Sequence, residues 1–319
     1  VFRKRAKLSD GQLKLVHPAF VAEKSSGARR TVAGPVRQHH PAVQDMDGLT
    51  SFHLGAWRVL AVPCLRDNYA YLVYSSDQSQ KCVIVDACEA EPIIFALKEH
   101  KLTPLAILST HHHHDHVGGN AELTRRYRIP IYGHDSERAR IVGLDMPLVD
   151  QQAFSVGDMH VVALHVPGHT LGALAYVMGG MCFTGDTLFC AGCGRLFEGT
   201  FAQMHHSLVE VLGKLPDETV MFTGHEYTLA NLRFASAVFN RPSVSLRSEQ
   251  VALQRAENRC CASAPLALEK ATNPFLNAHD PLLQQAVLGE AYQNAVLRND
   301  PQQLQALTFA ELRRMKDQF

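Results

Sequence analysis

From Trp57 onward the apolar positions fall into short runs separated by polar, glycine-rich breaks. Arg58–Pro63, Ala70–Tyr74, Cys82–Val85, Leu105–Ser109, His160–Val166, Ala173–Met178, Met181–Thr184 and Thr219–Thr223 read as strands, several so continuously apolar that both faces must be covered. Between them Glu91–His100 and Phe201–Leu215 read as helices. Across Pro92–Leu102, Ile93, Ile94, Leu97 and Leu102 recur at helical spacing while Lys98 and Glu99 fall opposite. After His225 the strand pattern stops. Leu229–Phe239, Val244–Arg259, Pro281–Leu297 and Thr308–Lys316 read as helices, and Thr308 with Glu311 has the spacing of a capping box opening the last. The pattern predicts a layered α/β domain over residues 56–225 and a smaller helical domain over residues 226–319, with no internal repeat.

Residues 1–55 differ from the rest. Arg3, Lys4, Arg5, Lys7, Lys14, Lys24, Arg29, Arg30 and Arg37 stand there against few acids, with no sustained apolar period. This reads as a basic extension outside the core, either a targeting segment or a disordered tail, which places the chain in the cytoplasm or the mitochondrion. No stretch approaches the roughly 20 apolar residues of a membrane span. Lysine plus arginine balances aspartate plus glutamate at 31 each, so no net field draws the chain to nucleic acid or anionic lipid. The expected partner is a small molecule, and the chain is expected to act as a monomer. Eight cysteines in 319 residues are too sparse for a disulfide framework, which fits a reducing compartment. Cys190 and Cys193 form a C-x-x-C, but a zinc ribbon needs a second one, and the adjacent Cys260 and Cys261 do not supply it.

Histidine changes the picture. There are 18, and several crowd into His111, His112, His113, His114, Asp115, His116 after the apolar run from Leu105. Alternation along an extended segment puts His111 and His113 on one side, and a turn towards Gly118 and Gly119 brings Asp115 and His116 to a neighbouring point. Two ligand sets imply two metals, and imidazoles with a carboxylate suit zinc, iron or manganese rather than calcium. A purification tag would not be internal, interrupted by an aspartate and set at the end of a buried-looking strand. Three more apolar runs end in a polar residue beside glycine: Val161–Val166 before Gly168-His169, Met181–Thr184 before Gly185-Asp186, and Thr219–Thr223 before Gly224-His225. Alone, each is a turn or cap residue; in order, they are ligands gathered at one sheet edge.

Thr110-His111-x-His113-x-Asp115-His116, followed by His169, Asp186 and His225, resembles the metallo-β-lactamase-fold hydrolases and, more closely, glyoxalase II, the hydroxyacylglutathione hydrolases. The resemblance runs over about residues 58–319, from Asp67-Asn68-Tyr69-x-Tyr71 through Phe183-Thr184-Gly185-Asp186-Thr187-Leu188-Phe189 and Ala191-Gly192-Cys193-Gly194-Arg195 to Lys316-Asp317-Gln318-Phe319. It implies a four-layer αββα sandwich with a smaller all-α C-terminal domain. It implies two divalent metal ions, zinc first with iron or manganese as alternatives. His111, His113 and His169 would hold one, Asp115, His116 and His225 the other, with Asp186 bridging. It further implies that Arg195, Tyr227, Arg313 and Lys316 bind the thiol, the last two sharing one face of a terminal helix. Phe197 joins these substrate-binding positions, standing where some members carry a tyrosine that contacts the peptide, and Asn277 stands where a basic residue is common.

The implied reaction is hydrolysis of S-(2-hydroxyacyl)glutathione, S-D-lactoylglutathione in the usual case, by hydroxide at a two-metal centre, the second step of methylglyoxal detoxification. Asp115 and Asp186 would fix metal spacing and hydroxide orientation. The first alternative is a mononuclear iron persulfide dioxygenase on the same fold, which would not need the helical C-terminal region. A metal-dependent nuclease is disfavoured by the neutral charge, and a metal-retaining protein without activity by the presence of all seven ligands.

Overall fold

The computed structural model describes residues 43–44, 49–77, 80–297 and 300–319, all within one compact unit, His40–Phe319. The expected basic extension lies outside the described residues except for Val43–Gln44 and the segment from Leu49.

Eight strands form the first sheet in chain order: β1 (Val43–Gln44), β2 (Thr50–Leu54), β3 (Trp57–Cys64), β4 (Asn68–Ser75), β5 (Lys81–Val85), β6 (Thr103–Leu108), β7 (Ile131–His134) and β8 (Leu144–Leu148). Pairing is antiparallel from β1 to β5 and parallel from β5 to β8. The second sheet contains β9 (Gln152–Val156), β10 (Met159–His165), β11 (Leu174–Met178) and β12 (Met181–Phe183). A short hairpin, β13 (Leu188–Phe189) and β14 (Gly192–Cys193), then precedes β15 (Val220–Phe222) and β16 (Ser263–Pro265), which complete that sheet in the order β16-β15-β12-β11-β10-β9.

Strand alternation sorts the side chains into three apolar layers. Val83 and Val85 of β5 face Tyr176, Phe183 and Phe222 in the core between the sheets. Their neighbours Cys82 and Ile84 face outward, onto Ile93 and Leu97 of α1 (Ala90–Glu99) and Leu123 of α3 (Asn120–Tyr127); between these helices lies the single turn α2 (His114–Val117). On the far side, Ala175, Cys182 and Met221 meet Met204 of α4 (Phe201–His206), Leu232 and Phe234 of α5 (Thr228–Val238), Val244 and Val251 of α6 (Pro242–Ala256), and Leu266 of α7 (Leu266–Thr272). Leu283 of α8 (Pro281–Leu288) and Phe309 of α10 (Pro301–Gln318) join the same layer, with α9 (Glu290–Leu297) between them in sequence. The order helix, sheet, sheet, helix is the expected four-layer sandwich.

Several expectations need correction. Thr50–Leu54, assigned to the extension, is a full strand paired with β3, because Phe52 and Leu54 complete the inter-sheet core. The C-terminal region is not all helix: β16 pairs antiparallel with β15, so Ser263–Pro265 belongs to the second sheet. Its three residues are too few to show a period. The last helix does not open at Thr308. It opens at Pro301, where the Asp300 side chain accepts from Gln303 N at 3.0 Å, and the Thr308 hydroxyl instead donates back to Leu304 O at 2.8 Å within the helix. A capping box does occur, at Thr200 and Gln203, but the helix it opens widens into a π turn over Ser207–Val211. Pro281–Leu297 is broken at Gly289, whose φ of 53° ends α8.

Candidate metal centre

Strand direction gathers the polar residues. β10 and β11 are antiparallel, as are β11 and β12, while β12 and β15 are parallel, so β10, β12 and β15 run the same way. His169, Asp186 and His225 follow their ends at one edge of the sandwich. From the other sheet, β5 and β6 end in parallel at Asp86 and His111, and the turn after β6 continues into α2, which carries Asp115 and His116. Gly224 permits a close approach: a Cβ there would lie 2.5 Å from Asp186 Oδ1 and 2.8 Å from His116 Cε1.

The donor atoms form three overlapping groups, each within 4.8 Å: His111 with His113 and His169, His111 with His116 and Asp186, and Asp115 with His116 and His225. His113 Nδ1 lies 3.1 Å from His111 Nε2 and 3.0 Å from His169 Nε2. His225 Nε2 lies 3.3 Å from His116 Nε2 and 3.3 Å from Asp115 Oδ2. Asp186 stands between the groups, with Oδ1 3.3 Å from His116 Nε2 and Oδ2 3.5 Å from His169 Nε2 and 3.3 Å from His225 Nε2. Ligands around a tetrahedral zinc with bonds of about 2.0–2.1 Å stand about 3.3 Å apart, so these separations are those of a shared cation.

The outer ring nitrogens explain why the rings face inward. His116 Nδ1 donates to Asp86 Oδ2 at 2.8 Å, His225 Nδ1 to Asp67 Oδ1 at 2.8 Å, and His169 Nδ1 to the Arg195 carbonyl at 2.7 Å. Thr110 Oγ1 donates to Asp86 Oδ2 at 2.8 Å and is thereby an acceptor for His111 Nδ1 at 3.0 Å. With Nδ1 engaged by its outer partner, each of these four rings turns its Nε2 towards the centre.

The field at the centre demands positive charge. Burial opposes protonation of His116, but Asp186 and Asp86 outweigh it and hold its pKa well above the usual range. At His225 burial is likewise overcome by Asp186 and Asp115, and the pKa rises to about 10. Burial would raise the Asp186 carboxyl, yet His116 and His225 hold it well below the ordinary carboxylate range. In the other group, burial keeps the pKa values of His111, His113 and His169 below that of free histidine, which leaves neutral imidazoles.

A cleft of about 390 Å³ opens over the centre, lined by His113, Asp115, His169, Asp186, Phe189, Arg195, Phe197, His225 and Tyr227. Three of the expected thiol-binding positions are therefore here. The Phe197 ring stands edge-on to His113 and His169 at 5.5 and 5.2 Å, and Tyr227 stacks on His225 at 4.7 Å. Arg313 and Lys316 do not line the cleft. Arg313 is buried and spends its guanidinium on Cys193 O at 2.8 Å and Asp317 at 3.0 Å. Lys316 Nζ donates to Ala230 O at 3.3 Å and lies over Phe234. Both side chains lie on the packed side of α10, Arg313 against Cys193 and Lys316 against Ala230 and Phe234 of α5.

Asp86, Asp67, Asn68 and Phe189 carry contacts that the sequence reading assigned no role. Asp86 follows the apolar run Cys82–Val85, the same strand-then-polar design that marked the ligands, so that signal was present. His112 turns outward to Glu137, 2.8 Å from its Nδ1. Asn277, which stands where the resemblance has a basic residue as common, is buried and donates to the Lys270 and Asn273 carbonyls.

Residues 65–225 match the metallo-beta-lactamase superfamily model, and residues 226–319 match the model of the hydroxyacylglutathione hydrolase C-terminus. The chain is 42% identical to the hydroxyacylglutathione hydrolase of Photobacterium profundum over 263 residues, covering 82% of this chain and 99% of that one. It is 43% identical to that of Pseudomonas savastanoi pv. phaseolicola over 270 residues, again covering 82% and 99%. Among solved structures, the BLEG-1 B3 metallo-beta-lactamase superposes with a TM-score of 0.52 at 26% identity, covering 69% of this chain and 99% of that one. ETHE1 from Myxococcus xanthus superposes with a TM-score of 0.50 at 25% identity, covering 66% and 84%.

Proposed function

The chain belongs to the hydroxyacylglutathione hydrolase family of the metallo-β-lactamase superfamily, and from that premise we propose how its residues divide the work. It is a thiolester hydrolase, a glyoxalase II that splits S-(2-hydroxyacyl)glutathione into a 2-hydroxy acid and glutathione. The match of residues 226–319 sets aside the iron dioxygenase alternative.

Imidazoles and carboxylates converge with their outer atoms already satisfied, and Asp186 Oδ1 is buried with no hydrogen-bond partner among the described residues. That donor set fits divalent metal ions. In our reading it would take two, zinc first with iron or manganese as alternatives: His111, His113 and His169 would hold one, Asp115, His116 and His225 would hold the other, and Asp186 stands between the two sets. Two such ions supply a water of lowered pKa and a Lewis acid for the thioester carbonyl. Asp115, kept ionised by His225 and His116 despite its burial and held by Asn68 through Oδ2, orients what binds on the second side. Asp67 and Asp86 keep His225 and His116 in the tautomer that offers Nε2. The departing thiolate has a conjugate-acid pKa of about 8.5, so no strong general acid is needed near the sulfur. Arg195 at the cleft wall pairs with a carboxylate of the peptide thiol, and Phe197, Phe189 and Tyr227 supply apolar walls that exclude water. Arg313 and Lys316 act from behind that wall, Arg313 by fixing the Cys193 carbonyl and Lys316 by its charge.

The observation that carries this reading is the convergence of the donors on one centre, with four imidazoles each oriented by a named outer partner. The test is turnover of S-D-lactoylglutathione by purified protein, with metal analysis. Asp186→Ala and His113→Ala should abolish nearly all activity and lower bound metal; unchanged turnover in either would sink the assignment.

A further inference from the structure

Asp317 lies on the last turn of α10, and its Oδ1 accepts from Arg195 Nε at 3.2 Å and from Arg313 Nη2 at 3.0 Å. The two arginines differ in kind. Arg313 is buried and already anchored on the Cys193 carbonyl, whereas the Arg195 side chain is 60% exposed and lines the cleft. The Arg195 carbonyl also accepts from His169 Nδ1 at 2.7 Å, so the same residue touches the metal centre through its backbone and the cleft through its side chain. An arginine tethered through Nε keeps its terminal Nη pair free for a bidentate carboxylate, and the tether removes rotamer freedom that binding would otherwise have to remove.

From this chain of contacts we propose that Asp317 is a positioning residue for substrate: anchored by buried Arg313, it holds the Arg195 guanidinium at the cleft mouth to receive a carboxylate of the peptide thiol. The proposal rests on the reading of Arg195 as a thiol-binding residue. Its opposite is physically distinct. A carboxylate that merely competed with substrate for Arg195 would weaken binding, and neutralising it would tighten binding.

The test uses the full chain, with steady-state kinetics on S-D-lactoylglutathione and on a lactoyl thioester of a thiol without carboxylates. Asp317→Ala should raise KM for the glutathione thioester about threefold to fivefold, the range of a part-exposed ion pair, with kcat little changed. KM for the uncharged thioester should not move. Asp317→Asn, which keeps the acceptor oxygen, should recover most of the loss. In an Arg195→Ala background Asp317→Ala should add nothing further. A lower KM in either Asp317 variant, or an equal rise in the Arg195→Ala background, overturns the proposal. Calorimetric titration with glutathione reads the same contact without turnover. An unchanged dissociation constant in Asp317→Ala overturns the proposal even where the hydrolase reading itself has failed.

Discussion

Asn68 holds Asp115 twice across 47 positions of chain, its Nδ2 donating to Oδ2 at 3.0 Å and to the main-chain oxygen at 3.1 Å. The same nitrogen lies 3.3 Å from His225 Nε2. One buried amide thus sets the orientation of a carboxylate that faces the second group of imidazoles. Asn68→Ala should lower kcat/KM or metal affinity by about 10- to 100-fold, as loss of an outer partner does. Metal content after dialysis against a weak chelator, beside kinetics in excess metal, separates the two effects. Full activity and full retention of metal would refute the role.

Gly224 leaves no room for a side chain at the centre. A methyl group there would lie 2.5 Å from Asp186 Oδ1 and 2.8 Å from His116 Cε1, closer than any real contact, so one of these groups or the backbone must shift. Misplacement by about 1 Å at a reacting centre costs about 100-fold, so Gly224→Ala should lose at least that much activity. Its far-ultraviolet circular dichroism should remain that of the wild type.

Glu269 and Arg247 form a buried ion pair, at 1% and 4% side-chain exposure. Glu269 Oε2 also accepts from Ala191 N at 2.8 Å and Asn273 Nδ2 at 3.0 Å, and Asn273 in turn donates to the Gly192 carbonyl at 2.9 Å. The helical region thereby satisfies the backbone of the hairpin that presents Phe189, where Ala191 has a φ of 56°. Arg247→Met alone should destabilise the fold by about 3–5 kcal/mol, because it strands a buried carboxylate. The double variant with Glu269→Gln should recover much of that in urea unfolding.

His205 packs against Phe309, with ring centroids 5.3 Å apart and Nε2 buried without a hydrogen-bond partner among the described residues. Burial lowers its pKa below the ordinary 6.5, against a smaller opposing pull from Glu210. Protonation is therefore harder in the folded chain than in the unfolded one. The stability linked to this residue is present above the unfolded value of 6.5 and is lost as pH falls through the lower folded value. Between pH 7 and pH 5, the melting temperature of the wild type should fall more steeply than that of His205→Leu. Parallel curves would show that the ring titrates freely in both states.

Much of this molecule is legible along the chain. Strands such as Cys82–Val85 and Met181–Thr184 announce themselves because both faces are buried, and apolar continuity is a local property. The ligand residues are legible for a related reason: each follows a strand end beside a turn, so strand order in sequence lists them before any coordinate does. Elements with mixed surroundings are not. Ile131–His134 alternates buried and half-buried residues over only four positions, and Ser263–Pro265 is a strand only because β15 offers it an edge.

The residue types at the centre, their order and the divalent-metal chemistry they suit were set by the sequence alone, since ligand chemistry belongs to the side chain. Which atoms face inward was decided by the tertiary structure, because a ring's orientation depends on what holds its other nitrogen. Those partners come from separate loops, Asp67, Asp86 and Thr110 from three loops of the first sheet and the Arg195 carbonyl from the loop after the β13-β14 hairpin. Arg313 shows the same division. Helical spacing placed it beside Lys316, but only packing against Cys193 turned it inward and left Arg195, tethered by Asp317, at the cleft.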